Sequence, residues 1–189
     1  MGDGANAYDY LSTVLTSGVM KNLWGYHTGD YGGDGKIFQI DANYGYSAAF
    51  GETLLQSNMG YIDVLPAIPE AWSSGSFNGL LAEGGFEVSA AWANSKLTSL
   101  SITSKNGGAC AVKLDVENVT VTCNDQKVAV TAKDGVFTFD TTAGNTYEIT
   151  EAAAAPALNV TTARAENGSV TLTWEAQSGV TYKVYRKEK

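Results

Sequence analysis

The sequence predicts an α+β fold in which two helices precede an antiparallel β-sandwich. Over residues 3–58, apolar side chains recur at spacings of three and four, which is the period of a helix. From about Tyr61 the period changes to two, and turn-forming residues separate short apolar runs. Short strands at such regular spacing are typical of two packed antiparallel sheets.

The first helix is predicted to begin after Asp3 and to end at Gly18. The carboxylate of Asp3 can accept a hydrogen bond from the first turn, and glycine commonly follows the last turn of a helix. Tyr8, Leu11 and Leu15 follow one another at spacings of three and four, so we expect them to form the buried face of this helix.

The second helix is predicted from about Tyr46 to Ser57, after a glycine-rich loop at residues 28–36. Asp30 and Asp34 lie four positions apart in this loop and are flanked by glycines. Two such acids could contribute to a calcium site, but the remaining ligand series of a calcium loop is absent. Solvated turn residues are therefore the favoured interpretation, and no metal site is predicted.

The strands are predicted from alternating apolar residues that are separated by turn signals. The pair Asp134-Gly135 predicts a tight hairpin, because both residue types tolerate the positive φ angles that such a turn requires. The alternating residues that we expect to face the core are Phe86, Val88, Ala90, Leu97, Leu100, Ile102, Val112, Leu114, Val119, Val121, Cys123, Val128, Val130, Val136, Phe137, Phe139, Tyr147 and Ile149.

The end of the chain predicts a linker followed by three more strands. Residues 151–157 are rich in alanine and contain a proline, which is the composition of a linker, and strands are predicted at 158–161, 169–174 and 180–186. This pattern resembles the opening strands of a fibronectin type III module, with Trp174 as its core tryptophan. Such a module needs about 100 residues, so we expect the chain to stop inside it.

Composition and charge exclude several classes of partner. The chain has 189 residues, of which 44% are hydrophobic, and a formal net charge of −8. An acidic chain repels phosphate backbones and anionic lipids, so neither nucleic acid nor a membrane surface is an expected partner. Cys110 and Cys123 lack the spacing of a zinc site, and they could either pair across neighbouring strands or remain separate thiols. No cofactor is predicted.

Residues 38–46 are the stretch most indicative of chemistry, because polar and aromatic residues mix there without a regular period. The carboxylate of Asp41 and the amide of Asn43 could bind sugar hydroxyls or a water molecule, and the neighbouring aromatic rings could stack on a pyranose. The same residues also fit a simpler interpretation, in which Asp41 or Asn43 caps the helix that follows.

Several blocks occur along the first half of the chain in a characteristic order. They read GDGANAY at 2–8, NLW at 22–24, then His27, FQIDANYG at 38–45, ETLLQS at 52–57, LPAIPEAW at 65–72, GSFNGL at 75–80 and GGFEV at 84–88. This series resembles the motifs GDGxxAY, NL(F/W), FQIDGNFG, EMLLQS, LLPALPDAW, GSVKGL and RGGFEV of glycoside hydrolase family 95, the α-L-fucosidases. The resemblance covers about residues 2–90.

The resemblance implies a fold and a reaction. The family has an (α/α)6 barrel followed by a C-terminal β domain, and it removes α1,2-linked L-fucose from glycans with inversion at the anomeric carbon. The Asp of its FQID motif is catalytic, so Asp41 is implied as the base-side carboxylate that activates water together with upstream asparagines. Those asparagines and the glutamate general acid belong to earlier barrel helices and are not in this sequence. The implied substrate-binding residues are His27, Gln39, Asn43 and Tyr44.

Three departures from the family pattern concern the same site. The family reads HPPFQID, whereas here the glycine-rich loop separates His27 from Phe38. Ala42 stands where the family has glycine, and Tyr44 stands where it has phenylalanine. The added phenol of Tyr44 could bond either a sugar hydroxyl or a backbone group.

The predicted organisation combines these observations. Residues 1–58 are predicted as the C-terminal fragment of the catalytic barrel, 59–150 as the C-terminal β-sandwich, 151–157 as the linker and 158–189 as a truncated fibronectin-like segment. The parent protein is expected to be a secreted bacterial enzyme, extracellular or at the cell surface, that acts on fucosylated glycans. The fragment alone is expected to be inactive, because the rest of the barrel and its general acid are missing from it.

Two other functions also fit the sequence. A non-catalytic β-sandwich that binds carbohydrate or serves as a scaffold would use exposed aromatic residues such as Trp72 or Trp92, independently of Asp41. For both tryptophans, however, packing between the helices and the β domain is the favoured role. An α-L-galactosidase would use the same site as a fucosidase, because L-galactose differs from L-fucose only by a hydroxyl at carbon 6.

Overall fold

The structure is a computed structural model that describes residues 2–28, 35–152, 160–166 and 169–174. The chain forms two units, which divide between Ala152 and Ala153. The first unit contains both helices and two large sheets, and the described part of the second unit is a single hairpin. Among the described residues, no helix is long and apolar enough to cross a membrane.

Two helices and a short hairpin begin the first unit. Helix α1 spans Gly4–Ser17 and helix α2 spans Ile40–Leu54. Between them, strand β1 (Tyr26–Thr28) pairs antiparallel with strand β2 (Lys36–Phe38). Since only Gln39 lies between β2 and α2, the hairpin leads directly into the helix.

The predicted ends of α1 are confirmed. The carboxylate of Asp3 accepts hydrogen bonds from the backbone N–H of Asn6 at 3.0 Å and from its side-chain amide at 2.6 Å. These bonds, the backbone one first, stabilise the charged form and lower the pKa of Asp3 below its ordinary value of 3.8. At the other end, the N–H of Gly18 donates to the carbonyl of Val14 at 2.8 Å and closes the last turn.

The predicted buried face of α1 is wrong in part. Leu11 is buried, but Tyr8 and Leu15 remain 38% and 44% exposed. Within the described unit, α1 packs on helix α2, and the ring of Tyr8 reaches that of Trp72 at 6.1 Å between centroids. Because the apolar stripe of α1 is wider than this contact, the side chains at its margins remain partly in solvent.

Helix α2 starts and ends earlier than predicted, at Ile40 instead of Tyr46 and at Leu54 instead of Ser57. It ends early because the next two residues, Leu55–Gln56, form a strand that pairs with one of the large sheets. Tertiary pairing of this kind overrides local helical preference, which is the only signal that periodicity provides.

The start of α2 is set by Gln39 and not by the residues considered from the sequence. Gln39 occupies the N-cap position without a side-chain capping hydrogen bond, so the interpretation of Asp41 or Asn43 as the cap is wrong. The N–H of Gln39 donates to the carbonyl of Gly25 at 2.9 Å, which ties the helix start to the chain that enters the hairpin. Contact with a neighbouring segment therefore takes the place of a side-chain cap.

Eleven further strands are described in the first unit, together with one short 3₁₀ turn at Glu70–Trp72. They are β3 (Leu55–Gln56), β4 (Ile62–Val64), β5 (Gly75–Ala82), β6 (Phe86–Ala93), β7 (Lys96–Ser104), β8 (Gly108–Lys113), β9 (Val119–Cys123), β10 (Gln126–Val128), β11 (Thr131–Lys133), β12 (Val136–Thr141) and β13 (Thr146–Glu151).

These strands form two sheets that share one hydrophobic core, as in a sandwich. Six strands lie in the order β10-β9-β13-β7-β6-β5 and five in the order β11-β12-β8-β4-β3. The predicted antiparallel pairing is wrong for one pair, because β4 and β8 run parallel, with Ile62 opposite Val112. The strands between them in sequence, β5 to β7, lie in the other sheet, and such a crossover lets two strands run parallel.

The core consists mainly of the alternating residues that the sequence predicts. Val88, Leu100 and Ile102 of the six-stranded sheet and Cys110 and Val112 of the other are at most 1% exposed. Buried and half-buried positions alternate along most of β6, which confirms its predicted period. The predicted core residues that are only half-buried are Leu97, Leu114, Val119, Cys123, Val128, Val130 and Val136.

The tight turn predicted at Asp134-Gly135 is confirmed. Both residues have positive φ angles, 51° and 76°, and Lys133 pairs with Val136 across the turn. Positive φ at both central positions is the type I′ geometry, whose twist matches the twist of the flanking strands. The hairpin of β11 and β12 is thus specified locally, by the two residues that join its strands.

The two cysteines are free thiols, which decides between the alternatives left open by the sequence. Cys110 lies on β8 of the five-stranded sheet and Cys123 on β9 of the six-stranded sheet, so they are not on neighbouring strands. Burial raises the pKa of Cys110 to about 12, because the charged thiolate would be deprived of water.

We therefore expect a thiol reagent to modify the folded chain at one cysteine only. The thiolate is the reactive species, and Cys110 is both fully buried and protonated near neutral pH. Mass spectrometry after native labelling should show modification at Cys123, which is half-buried, and modification of both thiols after unfolding. Rapid labelling of Cys110 in the folded chain would contradict its position in the core.

The described part of the second unit is an antiparallel hairpin of β14 (Val160–Glu166) and β15 (Ser169–Trp174). Strand β15 coincides with the strand predicted at 169–174. The strand predicted at 180–186 lies outside the described residues, as do most residues of the predicted linker. The likeness to a fibronectin type III module therefore stays a prediction.

Candidate active site

Asp41 lies in the first turn of α2, just after the β1–β2 hairpin. Its side chain is exposed, and the side-chain amide of Gln39 donates a hydrogen bond to its Oδ2 atom at 3.1 Å. The positive end of the helix dipole favours a carboxylate at this position. Asp41 is thus an exposed carboxylate with a partner that orients it, which is the arrangement that a proton acceptor needs.

Asn43 uses its side-chain amide to bind two backbone groups of the segment that enters the hairpin. Its Nδ2 donates to the carbonyl of Leu23 at 2.7 Å, and its Oδ1 accepts from the N–H of Gly25 at 2.8 Å. Leu23 has a positive φ of 65°, which is uncommon for a residue with a side chain. The amide of Asn43 therefore joins residues 23–25 to α2.

The other predicted sugar-binding residues have exposed polar groups. His27 lies on β1 opposite Ile37, and its Nδ1 is 3.1 Å from the carbonyl oxygen of Thr28, to which the Nδ1–H tautomer donates. Tyr44 is 69% exposed on α2. Of the five predicted site residues, Gln39 and Asp41 are joined to each other by a side-chain hydrogen bond.

The glycine-rich loop is described only at its two ends. Asp30 and Asp34, the pair considered as calcium ligands, lie outside the described residues. Where the chain is described, no group of three or more His, Cys, Asp or Glu side chains is arranged to hold a metal ion. At the base of the loop, the Nζ atom of Lys36 lies 4.9 Å from the ring centroid of Tyr26, which is a cation–π distance.

A pair of exposed aromatic rings lies beside the first turn of α2. The ring centroids of Trp24 and Phe38 are 4.7 Å apart, and these side chains are 52% and 46% exposed. The backbone N–H of Trp24 donates to Asn22 Oδ1 at 3.1 Å, and its carbonyl accepts from the N–H of Met20 at 2.9 Å. The indole is thus presented to solvent from a fixed backbone. Sequence reasoning missed the pair because only the hairpin register brings these two residues together.

Trp72 and Trp92 serve packing, as the favoured interpretation predicts. Trp92 is only 7% exposed, and its indole N–H donates to the carbonyl of Trp72 at 2.7 Å. The ring of Trp72 lies 6.1 Å from that of Tyr8 on α1 and 5.2 Å from that of Phe50 on α2. These contacts join the helices to the β domain. The two tryptophans suggested for a non-catalytic sugar-binding function are therefore engaged in packing.

The two helices enclose a groove of about 450 Å³. Its walls are apolar and include the small residues Ala7 of α1 and Ala42, Gly45 and Ala49 of α2, which leave room for another backbone to approach. Tyr10, which also lines it, is 74% exposed. Apart from the hydroxyl-bearing Tyr10, Tyr46 and Thr53, the lining is apolar, so the groove offers few groups to orient a sugar, whereas it suits the apolar face of a further helix.

The part of the chain that forms the two sheets matches the model of a known protein family. Residues 56–149 match the model described as glycoside hydrolase family 95, C-terminal domain. Residues 56–149 are a C-terminal domain of glycoside hydrolase family 95. The matched residues run from the end of β3 into β13, so the family 95 domain includes strands of both sheets. Asp41 lies before the matched range, on the helix that leads into it.

Two curated relatives of this chain carry fucosidase names. The chain is 44% identical over 69 residues to "Alpha-L-fucosidase 2" of Arabidopsis thaliana, and 35% identical over 100 residues to "Probable alpha-fucosidase A" of Aspergillus niger. These matches cover 36% and 47% of the chain but only 8% and 12% of the relatives. The chain therefore spans about a tenth of the length of these relatives. They come from a plant and a fungus, so they give no support to the expected bacterial source.

Proposed function

We propose that this chain is the C-terminal part of an inverting exo-α-L-fucosidase that removes α1,2-linked L-fucose from glycans. The observation that supports the proposal is the position of Asp41, an exposed and oriented carboxylate on the helix that leads into the family 95 domain. The fucosidase names of the two relatives support L-fucose as the sugar.

In this proposal, Asp41 acts on the water side of the reaction. An inverting glycosidase uses one carboxylate to take a proton from the attacking water and a carboxylic acid on the opposite side to protonate the leaving oxygen. Asp41 accepts the proton of the water while Gln39 holds its Oδ2 atom. As the water oxygen bonds to carbon 1, the glycosidic bond breaks on the other face, so an α-fucoside releases β-L-fucose. The acid comes from a part of the enzyme outside residues 1–189.

The geometry supports different substrate contacts for the predicted ligands. His27 and Tyr44 are exposed and can bond sugar hydroxyls through the imidazole and the phenol. Gln39 donates one N–H of its amide to Asp41, so its amide oxygen and its second N–H remain for a hydroxyl. Asn43 differs from the others, because both ends of its amide bind the backbone.

Helices α1 and α2 are proposed to be terminal helices of an (α/α)6 barrel. The support is the apolar groove between them and the exposure of apolar side chains along it, notably Tyr10. Further helices would cover this surface and remove it from water, which stabilises the barrel by roughly 25 cal/mol for each Å² of apolar area buried. Because fucosylated glycans are displayed outside cells, the proposal places the enzyme there.

A hydrolysis assay on the full-length protein tests the proposed function. We expect release of L-fucose from an α1,2-fucosyl-galactoside, and slower release of sugar from the matching α-L-galactoside, which differs by one hydroxyl at carbon 6. Absence of fucose release would contradict the proposal. Faster turnover of the galactoside would also contradict it, by assigning the site to the other sugar.

The 189-residue chain alone is expected to show no fucoside turnover. Positioning of reactants can contribute roughly 7–11 kcal/mol to a catalysed reaction, and a site with one of its two carboxyl groups cannot provide it. The measurement is fucose release by the purified chain at high concentration, with the full-length enzyme as the positive control. Turnover that disappears in an Asp41→Asn variant of the chain would show that residues 1–189 suffice.

A further inference from the structure

We propose that Asn43 is a positioning residue that fixes Trp24 and the β1–β2 hairpin relative to Asp41. The inference rests on the proposed function, because it assigns a role within the same site. It also differs from the substrate-binding role that the family resemblance implies for Asn43, since it makes the backbone, and not the sugar, the partner of this amide.

The first support is the geometry of the Asn43 amide. Its nitrogen donates to the carbonyl of Leu23 at 2.7 Å, and its oxygen accepts from the N–H of Gly25 at 2.8 Å. Both distances are close to the optimum for such bonds. Each end of the amide is thus already held by the backbone, and only its second N–H and the second lone pair of its oxygen remain for another partner.

The second support is the close packing at Gly25, which is buried. A Cβ atom at this position would lie 2.7 Å from Asn43 Oδ1, 2.9 Å from the carbonyl oxygen of Gln39 and 3.1 Å from Ala42 Cβ. The carbonyl of Gly25 also accepts from the N–H of Gln39 at 2.9 Å. The segment before the hairpin therefore lies directly on the first turn of α2, with no room for a side chain between them.

The contact between residues 23–25 and the first turns of α2, which we call the joint, sets the relative position of three groups. Trp24 lies between the two backbone groups that Asn43 binds, and its ring packs on Phe38. Gly25 leads into β1, which carries His27, and Asp41 shares the first turns of α2 with Asn43. Loosening the joint would therefore displace the hairpin from the carboxylate, and a misplacement of about 1 Å can lower the rate of an enzyme about 100-fold.

The test compares Asn43→Ala, Gly25→Ala and the double variant in the full-length enzyme. Asn43→Ala removes the two hydrogen bonds from its amide to Leu23 and Gly25 (the clamp), whereas Gly25→Ala forces the joint apart without substituting Asn43 or Asp41. Each single variant is expected to lower kcat about 100-fold with a smaller change in KM, and the double variant to be little worse than either, because both changes act on one joint. Gly51→Ala is the control, because Gly51 lies on the same helix as Asn43 and a Cβ at position 51 would meet nothing within 4 Å.

A substrate-binding role for Asn43 predicts a different result. Asn43→Ala would then mainly raise KM and leave kcat near the wild-type value. That outcome would overturn the inference while the proposed function survives. Loss of kcat in Gly51→Ala as large as in the other variants would overturn it as well, because the effect would then not be specific to the joint.

Amide exchange in the 189-residue chain separates this inference from the proposed function. Asn43→Ala is expected to accelerate hydrogen exchange at the N–H of Gly25, because that group loses its acceptor. An unchanged exchange rate at the N–H of Gly25 would overturn the inference, whatever turnover the variant enzymes show. Normal turnover in an Asp41→Asn enzyme would instead remove the proposed site, and faster exchange at Gly25 would still establish the joint.

Discussion

Replacing Asp41 with Asn in the full-length enzyme is expected to lower kcat by roughly two to four orders of magnitude, the usual scale for losing acid–base assistance. Asn has the shape of Asp, and its amide oxygen can still accept the hydrogen bond from Gln39. The variant therefore keeps the local geometry and loses only a group that can accept a proton from water. The measurement is steady-state hydrolysis of an α1,2-fucosyl-galactoside, with circular dichroism to verify folding.

Glu52→Gln is the matched control for this substitution. Glu52 is an exposed carboxylate on the same helix, about 16 Å farther along its axis than Asp41 at 1.5 Å per residue. Turnover of this variant should stay close to that of the wild type. Near-normal turnover in Asp41→Asn would mean that the FQID motif is structural here. An equal loss in both variants would show that the effect of charge on α2 is not specific to Asp41.

Replacing Ile102 with Ala is expected to lower the free energy of unfolding by about 2–5 kcal/mol, because it removes buried methyl groups and leaves a cavity. Ile102 is fully buried on β7, near the middle of the six-stranded sheet, and pairs with Val88 on one side and Tyr147 on the other. Neighbours on both sides limit the collapse that could fill the cavity. Urea unfolding of the purified chain measures the change.

Ser99→Ala controls for the position on the strand. Ser99 lies on the same strand as Ile102, is exposed and pairs with Ala91, so its replacement should change the free energy of unfolding by about 0.5 kcal/mol or less. A loss below about 1 kcal/mol for Ile102→Ala would place this residue outside a tightly packed core and would contradict the shared core of the two sheets.

The β domain is largely predictable from the sequence because its information is local. Alternation along β6 and the pair Asp134-Gly135 each specify a face or a turn within a few residues. The parallel pairing of β4 with β8 is not predictable in this way, because it depends on which sheet the intervening strands join. The predicted ends of α2 are wrong for a related reason. The start of this helix is set by contact with the segment that enters the β1–β2 hairpin, and its end is set by the pairing of β3 with β4.

The site shows the same division between local and long-range information. The sequence marks Asp41 through its motif and its aromatic neighbours, and the hydrogen bond from Gln39 joins residues two positions apart. The clamp of Asn43 on Leu23 and Gly25 joins residues about 20 positions apart, across a hairpin whose register no local pattern specifies. The residue types were visible in the sequence, but their partners were not.

The measurement that tests the central claim most directly is the configuration of the sugar as it is released. Proton NMR of the full-length enzyme acting on an α1,2-fucosyl-galactoside, recorded before the anomers equilibrate, distinguishes β-L-fucose from α-L-fucose. If Asp41 activates a water molecule opposite the leaving group, β-L-fucose appears first. Initial formation of α-L-fucose would mean retention through a covalent intermediate, and it would contradict the role of Asp41 as the base of an inverting reaction.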